Sequence, residues 1–511
     1  MQTLWMKVAA PSFAQAPASP CLPDEPKAVH RTPSAVAEPS FNTRRLPNEA
    51  LLAVSAAGDH TFLTAGELAS ITGNVNELPI GRRAELQAKF VLPSVTGSSG
   101  TARLLKSRQA ARNETISRGP SLHIIVPTLQ CAHTCRYCQV SRSLSDVGHT
   151  MSVADLEAAC DSVFESQADS LTVEFQGGDP LLRFNLVEHA IERIASRNLF
   201  EKRRLRFVVA STLHQLDESM CRFFAKHNVY LSTSIDGPAW LHNKNRPTPT
   251  RDSYERTLHG VGLAQALIGP DSISALMTTT KESLTHPEAI VDEYVRLGLK
   301  DIFLRPLSAY GFAKRSQTSM AYTLEEFGEF YRRGLDRVLH WNQRGVEIRE
   351  VYTSILLNKA LSTFDSGYVD LQSPTGAGSS VLVYNYDGYV YPSDEARMLA
   401  ETGETSLRMG RIGAPLGSLA TSDVRQSLVV NSTSANFASC RSCAYKTFCA
   451  PNPVDALAQH GCLDVEPVHT EHCQRHTALF DEVFMRLQAA DSALLDLFHS
   501  WARPNEQLEA A

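Results

Sequence analysis

The chain of 511 residues carries a formal net charge of -6, with 43% hydrophobic and 20% charged residues. That length supplies core for two or three domains without disulfide staples, and the lack of a basic excess argues against a surface that tracks nucleic acid. No run approaches the eighteen or more apolar residues of a membrane span, and "MQTLWMKVAAPSFAQAPA" lacks an apolar signal core although "AQA" mimics a cleavage site, so the expected location is the cytoplasm, with no membrane partner.

Residues 1–42 carry Pro, Ala and Ser in excess and predict a disordered leader in which Cys21 is idle. Residues 43–118 predict a small α+β accessory domain: strand, turn and strand in "LLAVSAAGDHTFL", a short helix begun near Thr64, and a polar helix around "GRRAELQAKFVL". From 119 to about 310, six short β-branched runs ("LHIIVPTL", "LTVEFQGG", "LRFVVAST", "VYLSTSI", "ISALMTTT" and "IFLRPL") alternate with helix-length segments. One of these, "SVADLEAACDSVFESQ", places Ser152 and Asp155 as a capping box. The alternation predicts a parallel α/β sheet, in which chemistry gathers at the carboxyl ends of the strands. The unusual residues fall there: Cys131 after the first strand, Gly177 to Pro180 after the second, "STL" after the third, Ser234 to Pro238 after the fourth, and Arg305 near the end of the sixth. Helices are expected from about 322 to 362, closing a unit of 119–362. A hairpin turning at Asp387 and Gly388 and a cysteine-rich stretch make up 363–475, and amphipathic helices 476–511. The chain has no internal repeat.

Seven of the eleven cysteines form two sets, a usage that suits metal ligation in a reducing compartment better than a disulfide framework. Cys131, Cys135 and Cys138 are spaced C-x3-C-x2-C, so three thiolates converge from one loop and leave a coordination position open. An iron-sulfur cubane normally takes four thiolates, and three leave one iron free for substrate. A zinc knuckle or unrelated buried thiols are the alternatives. Cys440, Cys443 and Cys449, spaced C-x2-C-x5-C, stand with Cys473 as a second set; four thiolates also suit a zinc ribbon. Cys160, Cys221 and Cys462 are expected to be bystanders.

C-x3-C-x-aromatic-C after the first strand, with Tyr137 as the aromatic, and "GGDP" after the second resemble the radical S-adenosylmethionine (SAM) enzymes. The resemblance implies a partial (β/α)6 TIM-type barrel in which SAM chelates the open iron of a [4Fe-4S] cluster on Cys131, Cys135 and Cys138. It also implies that Gly177, Gly178 and Asp179 face the methionine amino group, Tyr137 the adenine, and Ser234 and Arg246 the ribose and carboxylate. The family more commonly has Glu where this chain has Asp179. For Ser234 and Asp236 the other reading is a helix cap, and for Arg305 a structural ion pair.

"SCRSCAYKTFCAPNP" with "HTEHC" is similar to the SPASM auxiliary-cluster domain of peptide-modifying radical SAM enzymes. Ser393 and Pro453 stand where that family has cysteine, and no cysteine precedes Gly388 at the family spacing. The resemblance therefore implies one auxiliary [4Fe-4S] cluster, on Cys440, Cys443, Cys449 and Cys473. From about 43 onward, segments such as "GPSLHIIVPTLQCAHTCRYCQVSR", "YLSTSIDGPAWLHNKNRP" and "VLVYNYDGYVYPSDEARML" resemble the His-Xaa-Ser system radical SAM maturases. That likeness implies oxidative modification, such as cross-linking, of a ribosomally made precursor peptide. A second radical SAM maturase and an electron donor such as flavodoxin or ferredoxin are the implied partners. Residues 43–118 then either capture a leader peptide by strand addition or cover the open barrel. The rivals are an anaerobic sulfatase-type maturase, whose family typically keeps both auxiliary clusters, and a scaffold that binds the precursor without turning over.

Overall fold

The computed structural model describes residues 41–93, 98–112, 114–308, 310–311, 320–363 and 367–503. The expected leader lies outside these except for Phe41 and Asn42, which already belong to strand β1 (Phe41–Arg45). β1 pairs antiparallel with β2 (Leu51–Ser55), and β2 with β3 (His60–Leu63). β2 is buried on both faces: Leu52 and Val54 enter the main core, and Ala53 a small separate core with Leu63, Leu78 and Leu86. The next helix starts at the expected threonine, because Thr64 accepts from the Glu67 amide and Glu67 reaches back to the Thr64 amide, satisfying two otherwise unpaired donors.

All six expected strands form, and five stand side by side in parallel: β4 (Leu122–Thr128), β5 (Ser170–Gly177), β6 (Arg204–Ala210), β7 (Val229–Ser234) and β8 (Ile273–Thr278). The sixth run is split at Phe303. β9 (Asp301–Ile302) pairs with β11 (Arg349–Glu350), and β10 (Leu304–Arg305) pairs with β8. Helices such as Val153–Val163 and Phe184–Glu201 send their apolar faces into the main core. Ser152 caps the first by accepting from the Asp155 amide, but the short Asp155 side chain takes the Ser152 hydroxyl and not its backbone amide, so the expected capping box does not close.

The hairpin of β12 (Val381–Tyr384) and β13 (Tyr389–Tyr391) turns at Gly388, whose φ of 79° suits glycine. It does not stand apart in a C-terminal unit. β12 pairs in parallel with β4, from Val381 opposite Leu122 to Tyr384 opposite Ile125, and β13 pairs with β14 (Gly410–Arg411). The nine strands run β10-β8-β7-β6-β5-β4-β12-β13-β14. "VLVY" is buried at all four positions, the pattern of an interior parallel strand. The last helices are Glu471–Ala489 and Ser492–Ala502, the first of which begins five residues before the expected boundary at 476 and so takes Cys473 into its opening turn. No helix among the described residues is long and apolar enough to cross a membrane.

Glu350 ties the barrel to the helices behind it. Fully buried, it caps helix Val351–Leu361 through the Thr353 amide (2.5 Å) and accepts from the Tyr331 hydroxyl (2.9 Å) and the Leu304 amide (3.1 Å). Glu350→Ala strands the Thr353 and Leu304 amides in an apolar interior at about 1–3 kcal/mol each, while the Tyr331 hydroxyl keeps its contact to Thr353 Oγ1 (2.6 Å). We expect a fall in Tm of several degrees by scanning calorimetry; an unchanged Tm would show that water or neighbouring groups replace the carboxylate.

Candidate functional site

Cys131, Cys135 and Cys138 lie on the loop leaving β4. Cys131 and Cys138 are buried and Cys135 is half-buried, all as free thiols. Burial pushes the Cys131 thiol well above its ordinary range, helped by the nearness of Asp179, Cys135 and Cys138, and pushes Cys135 up to about 11. Such thiols ionise when a bound cation supplies the compensating charge. The loop is pinned to the end of β5: the Gly178 amide donates to the Thr128 carbonyl (2.9 Å) and the Asp179 amide to the Gln130 carbonyl (2.7 Å). A Cβ on Gly178 would collide with the carbonyls of Leu129 and Gln130, and one on Gly177, at φ 123°, with that of Thr128. The glycines therefore permit the backbone of β5 to lie against the residues that lead into Cys131.

The three thiols, Tyr137, both glycines, Ser234 and Arg246 all line one cavity of about 750 Å3 that runs along the parallel strands. Asp179 does not line it. Its carboxylate is fully buried and accepts from Ser211 (2.7 Å), Thr212 (2.5 Å) and the Leu181 amide (3.2 Å), which locks the end of β5 to that of β6. What Asp179 presents is thus a brace, while Ser211 and Thr212 of "STL" reach the cavity wall. Asp236 is a hub, not a helix cap, since the following helix Ala239–Asn245 is entered through Pro238 with no side-chain cap. It accepts from the Tyr137 hydroxyl at 2.7 and 2.8 Å and from Arg246 Nε at 3.4 Å, and the Arg246 guanidinium lies 5.3 Å from the Tyr137 ring centroid. A tyrosine and an arginine from distant loops are fixed by one buried carboxylate.

Sequence reasoning missed the acids of the cavity wall. Glu174, on β5, is raised to about 8, chiefly by burial. Burial also raises Asp370, and it raises Glu395 to about 7 with Asp370 and Asp394 adding to the shift. Arg305 faces Glu174, Asp370 and Glu395 from the end of β10 and is their shared positive neighbour. The signal for Glu174 was legible: "LTVEFQGG" places a charge in the middle of a strand otherwise fit for a dry interior. Two buried wall atoms, Thr233 Oγ1 and His133 Nδ1, have no hydrogen-bond partner, so the cavity offers unfilled polar contacts to a polar ligand.

The second thiol set lies behind the wall. Cys440, Cys443, Cys449 and Cys473 are free and half-buried, and they lie close enough together to hold one another protonated on top of the effect of burial, as Cys449 shows with all three others. Burial first, then Cys473 and Cys443, pushes Cys440 up to about 12. Asp370 of the wall accepts from Asn452 (3.1 Å), three residues past Cys449. The ring of Tyr352, an electrostatic neighbour of Cys449, meets the wall residue Phe303 at 5.4 Å. Ser393 and Pro453, at the positions that lack cysteine, start helices Asp394–Ala400 and Pro453–His460. Cys160 and Cys221 are buried on helices as expected, and Cys462 is held in a disulfide, which removes it as a thiolate ligand.

Residues 125–294 match the Radical SAM superfamily. The chain is 24% identical over 199 residues to the serine-type anaerobic sulfatase-maturating enzyme of Klebsiella aerogenes, covering 38% of this chain and 48% of that enzyme. Among solved structures it is similar to native anSMEcpe with bound AdoMet, at a TM-score of 0.59 and 18% identity over 72% of this chain and 98% of that one. It is also similar to Streptococcus suis SuiB bound to precursor peptide SuiA, at a TM-score of 0.53 and 13% identity over 85% of this chain and 98% of SuiB. At these identities the two structures establish the fold.

Two outcomes are expected at this site. Gly178→Val forces β5 away from residues 129 and 130, so after anaerobic reconstitution it should lose most of the iron bound by Cys131, Cys135 and Cys138 while the distal set keeps its own. Full iron loading would show that the loop tolerates the side chain. Glu174 ionises near 4.5 when unfolded and near 8 when folded, so between those pH values the unfolded chain has lost a proton that the native state keeps. Its contribution to stability is therefore complete below about pH 4.5 and lost as pH rises through 8. The Tm of Glu174→Gln relative to wild type should accordingly rise from pH 5 to pH 8; a constant difference would refute the shift.

Proposed function

From the radical SAM domain that this chain carries over residues 125–294, we propose that the protein reductively cleaves SAM and oxidatively modifies a ribosomally made peptide, forming a cross-link or other oxidised residue. The observation that carries this reading is the convergence of the three loop thiols, the Gly177–Gly178 backbone, Ser234, Arg246 and Tyr137 on one cavity. The donor set fits a [4Fe-4S] cluster with one open iron, and the unpartnered Thr233 Oγ1 and His133 Nδ1 suit a polar cofactor beside it. When bound, cluster and SAM together supply a radical able to take hydrogen from an unreactive C–H.

The chain's own part follows from the wall. The Asp236 hub holds Tyr137 and Arg246 in fixed orientation toward the cofactor. The strands and helix Val351–Leu361 wall the cavity on several sides, and a bound peptide that covered its mouth would protect a reactive species from side reactions. Glu395, poised near 7 beside Asp370 and Arg305, can take up the proton that oxidation of a peptide carbon releases. Cys440, Cys443, Cys449 and Cys473 would hold an auxiliary cluster to receive the electron. Strand β1 or β3 would offer a sheet edge to the precursor, and the expected second maturase, an electron donor such as flavodoxin or ferredoxin, and a cytoplasmic setting belong to the same reading. Support for a peptide substrate comes from SuiB, whose structure was solved with its precursor peptide.

A second reading, serine-type sulfatase maturation, is favoured by the Klebsiella aerogenes relative and by the higher TM-score of the anSMEcpe structure. Both activities remove two hydrogens, so mass alone does not separate them. An aldehyde-reactive hydrazide labels formylglycine and not a cross-link.

The reconstituted protein should hold about eight irons per chain, four for each cubane, and should make 5′-deoxyadenosine from SAM and dithionite. Replacing Cys131, Cys135 and Cys138 together by Ala should abolish that product, whereas Cys473→Ala should keep it and lose peptide modification. Undiminished 5′-deoxyadenosine from the triple variant would overturn the assignment, and so would stoichiometric zinc in place of iron at the second set. A wild-type protein that makes none would leave the scaffold role.

A further inference from the structure

Strand β1 reaches the second thiol set across most of the chain's length. Asn42, 9% exposed, donates through Nδ2 to the carbonyls of Cys443 (3.1 Å) and Arg441 (3.3 Å). Two residues on, and so on the same face of the strand, Arg44 forks onto Asp481 with two bonds of 2.5 Å. Asp481 is on the helix whose first turn carries Cys473. The same carboxylate accepts from the Tyr445 hydroxyl (2.6 Å), and the Tyr445 amide donates to Cys443 Sγ (3.3 Å). The Arg44 guanidinium also lies over the Tyr445 ring, 5.5 Å from its centroid. The thiol set comes in two halves, the stretch 440–449 and the helix bearing Cys473. β1 grips both at once, the first through Asn42 and Tyr445 and the second through Asp481. The positive charge of Arg44 is felt at Cys443 and Cys473.

We propose that Asn42 and Arg44 of the N-terminal sheet are positioning residues for the auxiliary centre, holding the two halves of its thiol set in register and balancing the charge beside it. The proposal rests on the reading of Cys440, Cys443, Cys449 and Cys473 as one cluster. It makes the N-terminal sheet a structural part of the redox site, whichever of its other roles applies.

The ion pair gives the proposal a signature that mere support of the fold would not produce. Arg44→Gln leaves the Asp481 carboxylate uncompensated beside the centre, which disfavours the extra electron. Asp481→Asn leaves the guanidinium uncompensated, which favours it. In reconstituted full-length protein, with the midpoint potential of the distal cluster followed by electron paramagnetic resonance, the two variants should move in opposite directions. Arg44→Gln should shift downward and Asp481→Asn upward, each by about tenfold in the reduction equilibrium, or about 59 mV for one electron. Asn42→Ala, which removes the donor to two backbone carbonyls, should lower distal iron at unchanged iron in the first set. Retained clusters with unshifted potentials, or shifts of the same sign, would overturn the proposal. If both charge variants lose the distal cluster outright, Arg44→Lys decides: restored loading supports it and continued loss refutes it. Wild-type protein with only about four irons per chain would instead sink the reading of the second cluster itself.

Discussion

The contact on which the rest of the site depends is the one between two stretches of backbone. Residues 177 and 178 lie so close to residues 128–130 that no side chain fits between them, and amide-to-carbonyl bonds from Gly178 and Asp179 close the gap. Parallel strands normally diverge into independent loops at their ends. Here the end of β5 is welded to the exit of β4, so the loop carrying three cysteines inherits the rigidity of the sheet. Asp179 extends the weld to a third strand through Ser211 and Thr212. A centre that must present one open position toward a cavity needs such an anchor, because misplacing a reacting group by an ångström can cost a hundredfold in rate.

Charge in the cavity follows a related logic. Burial disfavours carboxylate anions, and the wall collects Glu174, Asp370 and Glu395 around Arg305, where burial raises all three acids and the guanidinium pulls them back down. Asp236 differs in being met directly by Tyr137 and Arg246. The Asp236 contacts fix the orientation of Tyr137 and Arg246 beside the thiol loop, whereas the wall acids around Arg305 are shifted mainly by burial.

The strands, their order of appearance and the loop ends that carry chemistry were legible because parallel strands announce themselves as apolar runs and because cysteine, glycine and proline are rare in them. Thr64 and Ser152 fell where their hydrogen bonds are needed. What was not legible were relations between distant segments. Nothing local in "VLVYNYDGYVY" says that its first strand adds to the barrel beside β4, since a hairpin satisfies the same pattern by itself. Nothing in "FNTRR" says that its asparagine and arginine meet residues four hundred positions later. The role of the aspartate in "SIDGP" was hidden for the same reason: capping is the only explanation its local sequence offers, and its partners Tyr137 and Arg246 come from other loops. The glycines were recognised, but their close approach to the backbone of residues 128–130 is a fact of packing that no local pattern announces.

The pairing of β12 with β4 also bears on how the molecule is made. β4 leaves the ribosome about 250 residues before β12, which at 5–20 residues per second is a delay on the order of ten to fifty seconds. Throughout that interval one edge of the first barrel strand stands open, a row of unpaired amides and carbonyls next to apolar side chains, the kind of surface to which other strands adhere. The edge is closed only when the hairpin arrives and β12 pairs with β4, so this topology carries its adhesive surface through a long stretch of synthesis.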